Sequence, residues 1–167
     1  DATWTRIISV GVGEDNEFRI TDFTEDADGS RFGLSWKGEP VMQVEWNMPG
    51  LFNARNLAMA TLASVLSQQI CQADKPFDLA SQNPFSGVSL PDFSECAGVK
   101  RRQEILHDSE EIVVLSDFAH HPTAIAGALE SLRARWSDRE IIACFEPRSN
   151  TAVTNVFEDR FADALAF

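Results

Sequence analysis

Apolar and polar residues follow two different rhythms along this chain of 167 residues. Residues 4–46 are rich in β-forming side chains that partly alternate, and turn-forming clusters at 26–30 and 37–40 interrupt them. This pattern predicts β-hairpins. Over residues 53–71 the apolar positions recur at helical spacing instead, and Asn53 stands where a helix cap is expected. The first part of the chain is therefore predicted to form hairpins followed by a helix.

Helix-breaking pairs mark the boundary that we expect between two parts of the chain. A second short helix is predicted over 77–82, and Asn-Pro, Ser-Gly and Leu-Pro pairs then interrupt regular structure between residues 83 and 91. We therefore expect one domain over residues 1–91 and a second over residues 92–167.

The second part alternates between strand-like and helix-like segments. Its apolar runs predict strands at 102–106, 112–115 and 141–145, with a turn at 107–109 after the first of them. Its helical spacings predict helices over 122–136 and 156–165. Pro122 suits the first turn of a helix. Because the runs at 112–115 and 141–145 are continuously apolar, we expect strands that are covered on both faces. This order predicts a parallel α/β sheet, and two such units make only the first part of one.

Charge and composition narrow the partners of the chain. The formal net charge of −12 repels a phosphate backbone, so nucleic acid is not an expected partner, although a nucleotide is still compatible with it. No apolar run approaches the roughly 18 residues of a membrane span, and we find no signal-peptide pattern. The three cysteines lie outside any Cys-x-x-Cys and are interpreted as free thiols of a reducing compartment.

Polar loops after two predicted strands are the first candidates for chemistry, because ligands of open α/β sheets bind beyond the carboxyl ends of the strands. One loop carries Asp117 and His120, and the other carries Arg148, Ser149 and Asn150. Two ordinary loops with a helix cap are the alternative. Adjacent histidines rarely face one metal ion and no third ligand stands at a familiar spacing, so no metal site is predicted. Acyl-enzyme chemistry lacks a nucleophile motif.

Basic and amide side chains are the second group of candidates. The run Lys100-Arg101-Arg102 is the only dense basic cluster, and guanidinium groups bind phosphate oxygens in pairs, although a solvated turn is the simpler interpretation. Asn53 and Asn56 are three residues apart and so share a helix face. Their amides can recognise a purine edge, or they form one cap and one surface amide.

Four segments together resemble motifs of the Mur ligase family. Residues 50–56 (GLFNARN) are similar to the G-x-H-N-x-x-N motif that ends its central domain, and residues 98–104 (GVKRRQE) to the segment that opens its C-terminal domain. Residues 117–123 (DFAHHPT) resemble the form typical of members that act on UDP-N-acetylmuramate. Residues 145–151 (FEPRSNT) resemble that of the murein peptide ligases, which add a tripeptide. The resemblance covers nearly the whole chain.

This resemblance implies a fold, a reaction and partners. The fold is α/β, with the rear part of a central ATPase domain over 1–91 and the first part of a Rossmann-like C-terminal domain over 92–167. The implied reaction is cytoplasmic, uses ATP and Mg²⁺, and joins UDP-N-acetylmuramate to the tripeptide L-alanyl-γ-D-glutamyl-meso-diaminopimelate in peptidoglycan recycling. An acyl phosphate is its intermediate, and protein groups mainly position the reactants and neutralise charge.

The resemblance also implies roles for nine residues. Asn53 and Asn56 would border the adenine, Arg101 would pack near the base, and Arg102 would reach the phosphates. The catalytic candidates Asp117 and His120 would line the nucleotide side of the cleft. The tripeptide carboxylates would meet a third group of side chains, namely Arg148, Ser149 and Asn150.

Two departures from the family pattern affect this interpretation. Phe52 replaces the usual histidine, and no G-K-[ST] phosphate loop occurs in the chain. The phosphate loop and the main Mg²⁺ ligands are therefore expected before Asp1, and a fragment of this kind is expected to be inactive alone. The alternatives are an L-alanine-adding ligase of the same family and a non-catalytic nucleotide-binding module.

Overall fold

The chain folds into two compact units, each with its own sheet and its own buried cluster. A computed structural model describes residues 6–26, 28–72, 77–96, 98–148 and 154–166. The first unit takes in the residues up to 96 except 26–28, and the second takes in 97–167 together with 26–28. Strands and helices occur in both units, which confirms the α/β class. No helix among the described residues is long and apolar enough to cross a membrane.

The sheet of the first unit has four strands in the order β1-β2-β3-β4. They are β1 (Val10–Gly11), β2 (Phe18–Asp26), β3 (Gly29–Trp36) and β4 (Glu39–Trp46). β1 runs parallel to β2, whereas β3 and β4 are antiparallel. The residues that join β3 to β4, Lys37 and Gly38, both have positive φ (48° and 87°), as a type I′ turn requires. This pair is therefore a hairpin of the predicted kind.

A 22-residue helix, α1 (Leu51–Gln72), packs with this sheet around one apolar core. Its contribution is a seam of residues three or four apart: Ala54, Leu57, Ala58, Leu62 and Val65. The sheet contributes the large side chains Phe18, Ile20, Phe32, Leu34, Trp36, Val44 and Trp46. Phe85, from the loop that follows α1, stacks on Phe18 with ring centroids 4.8 Å apart. The predicted helix is thus confirmed, and its apolar spacing is what closes the core.

The start of α1 differs from the prediction. The helix begins at Leu51, so Asn53 lies inside the first turn and is not the cap. The residue before the helix is Gly50 (φ 96°), and its N–H donates to the Glu25 carboxylate at 2.6 Å. The predicted helix over 77–82 is also wrong. That segment forms a turn around Asp78, whose side chain and carbonyl group accept the local hydrogen bonds.

The sheet of the second unit is an antiparallel hairpin, as the turn predicted at 107–109 requires, and the described residues of this unit form no parallel strand pair. β5 (Glu104–Asp108) pairs with β6 (Val113–Ser116), from Glu104 opposite Ser116 to Asp108 opposite Val113. The connection is a turn closed by Ser109, which hydrogen-bonds Ile112. A turn this short can only reverse the chain, because a parallel pair needs a crossover of a dozen or more residues. β6 is also only partly buried, so it is not covered on both faces.

Two helices carry the buried cluster of the second unit. They are α2 (Pro122–Arg135) and α3 (Glu158–Leu165), with a 3₁₀ turn at Asn155–Phe157 before α3. Both predicted helices are confirmed, and Pro122 occupies the first turn of α2. Ile125 and Leu129 of α2 pack with Phe161 of α3.

The strand predicted at 141–145 is absent, because that segment has no regular structure. Its two ends, Ile141 and Phe145, pack on the buried cluster, and Phe145 stacks on Phe161 at 5.0 Å. Ile142 between them is 81% exposed. The apolar run is therefore covered on one side only, and this is why it does not behave as a buried strand.

Candidate functional site

A short basic loop, Lys100–Gln103, precedes β5 and carries the predicted Arg101 and Arg102. Its backbone bends sharply, because Arg101 and Gln103 both have positive φ (61° and 51°) although neither is glycine. Each such position costs about 1–2 kcal/mol relative to ordinary backbone. A turn hydrogen bond from Arg102 N to the Val99 carbonyl oxygen, 3.1 Å long, lies within the bend. The surroundings must therefore hold this loop in place.

Asp117, directly after β6, is one of the groups that hold the basic loop. Its Oδ2 accepts a hydrogen bond from Gln103 N at 2.9 Å, and its Oδ1 accepts one from Ala119 N at 2.6 Å. Phe118 N donates to the Arg101 carbonyl oxygen at 2.7 Å. On the other side, Glu104 Oε2 accepts from Arg101 N at 3.0 Å. The structure thus joins the basic loop to the segment 117–121, which the sequence could only place after a strand.

An exposed aromatic ring lies between two polar side chains of this site. Phe118 is 51% exposed, and the Arg102 guanidinium lies 5.9 Å from its ring centroid, within the range of a cation–π contact. The His120 ring lies 5.0 Å from it on a tilted plane, and Nδ1 of His120 is 3.0 Å from the Phe118 carbonyl oxygen. Among the residues that the structure describes, no carboxylate pairs with the guanidinium of Arg101 or Arg102. The site therefore offers unneutralised positive charge beside a flat apolar ring.

The neighbouring histidine has a structural contact of its own. His121 is the N-cap of α2, and its ring nitrogen accepts from Thr123 N at 3.4 Å. Its ring also meets Phe157 edge-on at 5.1 Å. His120 and His121 thus serve different neighbours, and the described residues hold no group of three possible metal ligands.

The two asparagines of the first unit differ in exposure. Asn53 is 4% exposed, and its Nδ2 donates to the Pro49 carbonyl oxygen at 2.6 Å, so its amide is already used within the fold. Asn56 is exposed, one turn further along the same helix. Of the two, Asn56 is the one whose amide is presented on the surface of the first unit.

Arg148 is exposed and pairs with a neighbouring carboxylate. Its Nε and Nη2 both donate to Glu146 Oε2, at 2.9 Å and 2.7 Å. This hydrogen bond raises the pKa of the Arg148 guanidinium above its ordinary value. The predicted placement of Arg148 after a strand does not hold, because no strand precedes it among the described residues 117–148. Ser149 and Asn150 lie outside the described residues.

Sequence reasoning missed two residues of this site. Gln103 is 5% exposed, and neither atom of its side-chain amide has a hydrogen-bond partner. Glu104 anchors the basic loop through its carboxylate. Both lie in the segment 98–104 that resembles the family motif, but they follow a run of basic residues like that of a solvated turn, so nothing in the sequence indicated a role for either. Two clefts of about 290 and 500 Å³ lie in the first unit, and none of the predicted site residues lines them.

The chain matches proteins of one family over most of its length. A UDP-N-acetylmuramate–L-alanyl-gamma-D-glutamyl-meso-2,6-diaminoheptandioate ligase of Haemophilus influenzae is 35% identical over 159 residues, covering 92% of this chain and 30% of that protein. A UDP-N-acetylmuramate–L-alanine ligase of Bordetella avium is 30% identical over 161 residues, covering 92% and 32%. The chain therefore spans about a third of the length of these relatives.

A solved structure and a family model agree with these matches. The UDP-N-acetylmuramate-alanine ligase of Thermotoga maritima aligns with a TM-score of 0.66 at 23% identity, covering 95% of this chain and 31% of that one, and shows the same fold. Residues 101–166 match the model of the Mur ligase glutamate ligase domain. Arg101, Arg102 and Asp117 all lie inside that match. The chain belongs to the Mur ligase family, and residues 101–166 correspond to its glutamate ligase domain.

Proposed function

We propose that this chain is part of an ATP-dependent amide ligase of peptidoglycan synthesis that works in the cytoplasm. In this reaction a carboxylate of UDP-N-acetylmuramate attacks the γ-phosphorus of ATP, which forms an acyl phosphate and releases ADP. The amine of a peptide then attacks the acyl carbon and displaces phosphate. The main task of the protein is to hold three charged reactants together and to neutralise their charge.

The observation that carries the proposal is the basic loop held beside Asp117 and Phe118. ATP presents several negative phosphate oxygens and a flat base. Arg101 and Arg102 supply positive charge without a carboxylate partner among the described residues, and Phe118 supplies an exposed ring beside Arg102. We assign phosphate binding to Arg102 and contact with the base to Arg101, both in the second unit. Asn53 and Asn56 of the first unit stay separate candidates for binding the adenine.

Mg²⁺ fits the described residues less well than ATP does. Both oxygens of Asp117 accept backbone N–H groups, and the described residues bring no three possible ligands together. We therefore derive no step through a metal from this part of the chain. His120 stays a candidate for the reacting side because its ring lies against Phe118. Both oxygens of Asp117 are occupied by backbone N–H groups, so we place Asp117 on the nucleotide side, where it acts through the loop that it holds.

The peptide side of the proposal rests on Arg148. Its Nε and one Nη2 hydrogen are taken up by Glu146, so the outer edge of the guanidinium is open to a second carboxylate. A tripeptide that ends in diaminopimelate offers several carboxylates, whereas L-alanine offers one. Relatives of both kinds match the chain about equally well, at 35% identity for the tripeptide-adding one and 30% for the L-alanine-adding one. The choice of the tripeptide therefore rests on its carboxylates and on the E-P-R-S-N-T segment, which includes Ser149 and Asn150, and L-alanine is the alternative.

Two arginine variants of the complete ligase test the proposal. Arg148→Ala should lower kcat/KM for the tripeptide by about ten- to a hundredfold, because a charge-assisted hydrogen bond is worth roughly 1.5–3 kcal/mol, while KM for ATP stays constant. Arg102→Ala should raise KM for ATP and leave the tripeptide KM unchanged. Arg148→Lys should retain only part of the activity, since lysine lacks the planar guanidinium.

Arg135→Ala, which removes the same charge at the end of α2, is the matched control and should leave both constants near those of the natural ligase. Steady-state kinetics with each substrate varied in turn measures these effects. Equal losses on ATP and peptide in both arginine variants would show that the two sides are assigned wrongly. Efficient use of free L-alanine in place of the tripeptide would support the alternative substrate.

A further inference from the structure

The basic loop holds two strained backbone positions within three residues. Arg101 (φ 61°) and Gln103 (φ 51°) occupy the left-handed region, which favours glycine. Strained positions of this kind persist only where the surrounding structure holds them, and they cluster at functional sites. The two residues flank Arg102, so their backbone conformation sets the direction in which the loop presents that side chain.

The side chain of Gln103 does not explain its conformation. It is 5% exposed, and neither amide atom has a hydrogen-bond partner. An unpartnered amide in a buried position destabilises the residue and cannot hold it. What holds Gln103 is its backbone N–H, which donates to Asp117 Oδ2 at 2.9 Å.

A carboxylate meets the backbone N–H of each strained residue. Glu104 Oε2 accepts from Arg101 N, and Asp117 Oδ2 accepts from Gln103 N. The second oxygen of Asp117 accepts from Ala119 N, and this hydrogen bond fixes the carboxylate. Phe118 N in turn donates to the Arg101 carbonyl oxygen. Hydrogen bonds of backbone N–H groups to carboxylates are among the stronger ones in proteins, so they can offset the strain.

We propose that Glu104 and Asp117 are positioning residues that hold the basic loop in its strained shape, so that Arg102 is presented to an anionic phosphate group. This inference rests on the proposed role of Arg102 in binding ATP. It gives Glu104 a function and makes Asp117 a residue that acts through the loop. Loss of either carboxylate then weakens phosphate binding and leaves the chemical step intact.

The experiment uses the complete ligase. It asks whether a second substitution, which relieves the backbone strain, restores the KM for ATP, as it can only if Asp117 acts by holding the loop. Asp117→Asn keeps one acceptor oxygen and loses the other, and should raise KM for ATP about tenfold with kcat at saturating ATP within about twofold, since the loss is that of one charge-assisted hydrogen bond. Adding Gln103→Gly should recover most of that loss, because glycine adopts positive φ without strain. Adding Gln103→Ala removes nearly the same side chain but keeps the strain, and should recover nothing.

Glu104→Ala should raise KM for ATP in the same direction, and Glu111→Ala, an exposed acid in the hairpin turn, is its control. Hydrogen exchange at the Phe118 amide reports the loop directly, since that N–H is bonded to Arg101. Exchange should quicken in Asp117→Asn and slow again when Gln103→Gly is added.

Two outcomes separate this inference from the proposed function. If the glycine and alanine substitutions of Gln103 behave alike and kcat collapses, Asp117 acts directly on the reactants and the inference is overturned. If Arg102→Ala leaves KM for ATP unchanged, the proposed role of Arg102 in nucleotide binding fails. The difference in Phe118 amide exchange between the Gln103→Gly and Gln103→Ala variants then still shows whether Asp117 holds the loop.

Discussion

The first unit is organised around a large apolar core, whereas the second unit is organised around polar contacts in its loops. Counted over the residues that the structure describes, thirteen buried apolar residues form one cluster in the first unit, from Phe18 on β2 to Phe85 in the loop after α1. The corresponding cluster of the second unit has four: Ile125, Leu129, Phe161 and Ala164. The hairpin β5–β6 contributes none of these four, and Leu106 on β5 and Ile112 in its turn are 62% and 56% exposed.

This difference shows which interactions fix the positions of residues in each unit. Side chains that interdigitate in a close-packed core fix their neighbours to within fractions of an ångström. The candidate residues of the second unit have little such packing, so hydrogen bonds to Asp117 and Glu104 must position the basic loop instead. This polar part of the chain, in which two residues of positive φ flank Arg102, is also the part that carries the candidate chemistry, as expected for a functional region.

Removing one large ring from each core is the strongest test of this comparison. Phe18→Ala should lower the free energy of unfolding of the first unit by about 3–5 kcal/mol, because Phe18 is fully buried and leaves a cavity. Phe161→Ala should cost the second unit less, about 1–3 kcal/mol, since its small cluster can relax. Hydrogen exchange followed peptide by peptide separates the two units. Urea titration followed by tryptophan fluorescence reports the first unit once Trp136 of the second is replaced by Phe. Equal losses of unfolding free energy in the two variants would mean that both cores are equally well packed.

A glycine in the first unit tests how tightly its backbone packs. In Gly29→Ala the added Cβ would lie 2.8 Å from Asn47 Cα and closer still to the Trp46 carbonyl oxygen, at φ 141°. We expect a loss of at least about 2 kcal/mol in the free energy of unfolding. Gly38→Ala is the matched control, because its Cβ would meet nothing within 4 Å and only the positive φ is left, at about 1–2 kcal/mol. Similar losses for the two variants, measured by urea titration, would contradict close packing at Gly29.

Two glutamines, one in each unit, compare an amide that has a hydrogen-bond partner with one that has none. Gln103 of the second unit is buried without a partner, whereas Gln69 of the first donates to the Pro84 carbonyl oxygen at 3.0 Å. Gln103→Met should raise the free energy of unfolding by about 1 kcal/mol, and Gln69→Met should lower it by a similar amount. Thermal unfolding of both variants measures this. A destabilised Gln103→Met would show that this amide has a partner in solution.

The smallest expected effect concerns a surface turn of the first unit. The Ser81 hydroxyl donates to the Asp78 carboxylate at 2.7 Å and, with Ala80 N, holds the pKa of Asp78 below its ordinary value. A lowered folded-state pKa contributes stability that is present above the unfolded value of about 3.9 and is lost as the pH falls through the folded value. Ser81→Ala should raise the pKa of Asp78, as measured by carboxyl NMR titration. Asp92, held low by Ser94, should not move and serves as the control.

Much of the fold was predictable because it depends on neighbours in sequence. The apolar spacing of α1, the turn at Lys37 and Gly38, and Pro122 at the start of α2 all act over a few residues. The family was predictable for a similar reason, since its motifs are continuous segments such as 98–104 and 117–123. The candidate residues within those segments could therefore be identified directly from the sequence.

Features that depend on which segments meet in space were not predictable. The apolar run at 141–145 has the composition of a buried strand, but only one side of it is covered. Without a strand there, β6 pairs only with β5 among the described residues, and the predicted parallel sheet is not formed. Gln103 and Glu104 resemble the end of a solvated basic turn, and only the folded chain brings Asp117 against them.

The sequence by itself thus determined the family, the main helices and the identity of the charged residues, because spacing and short motifs encode them locally. The tertiary structure decided which of those charged residues are held in a fixed position, and which groups hold them. Two strained residues can be stable only when other groups of the folded chain accept their backbone hydrogen bonds. Asp117 lies fourteen residues beyond Gln103, and no local pattern reveals that contact.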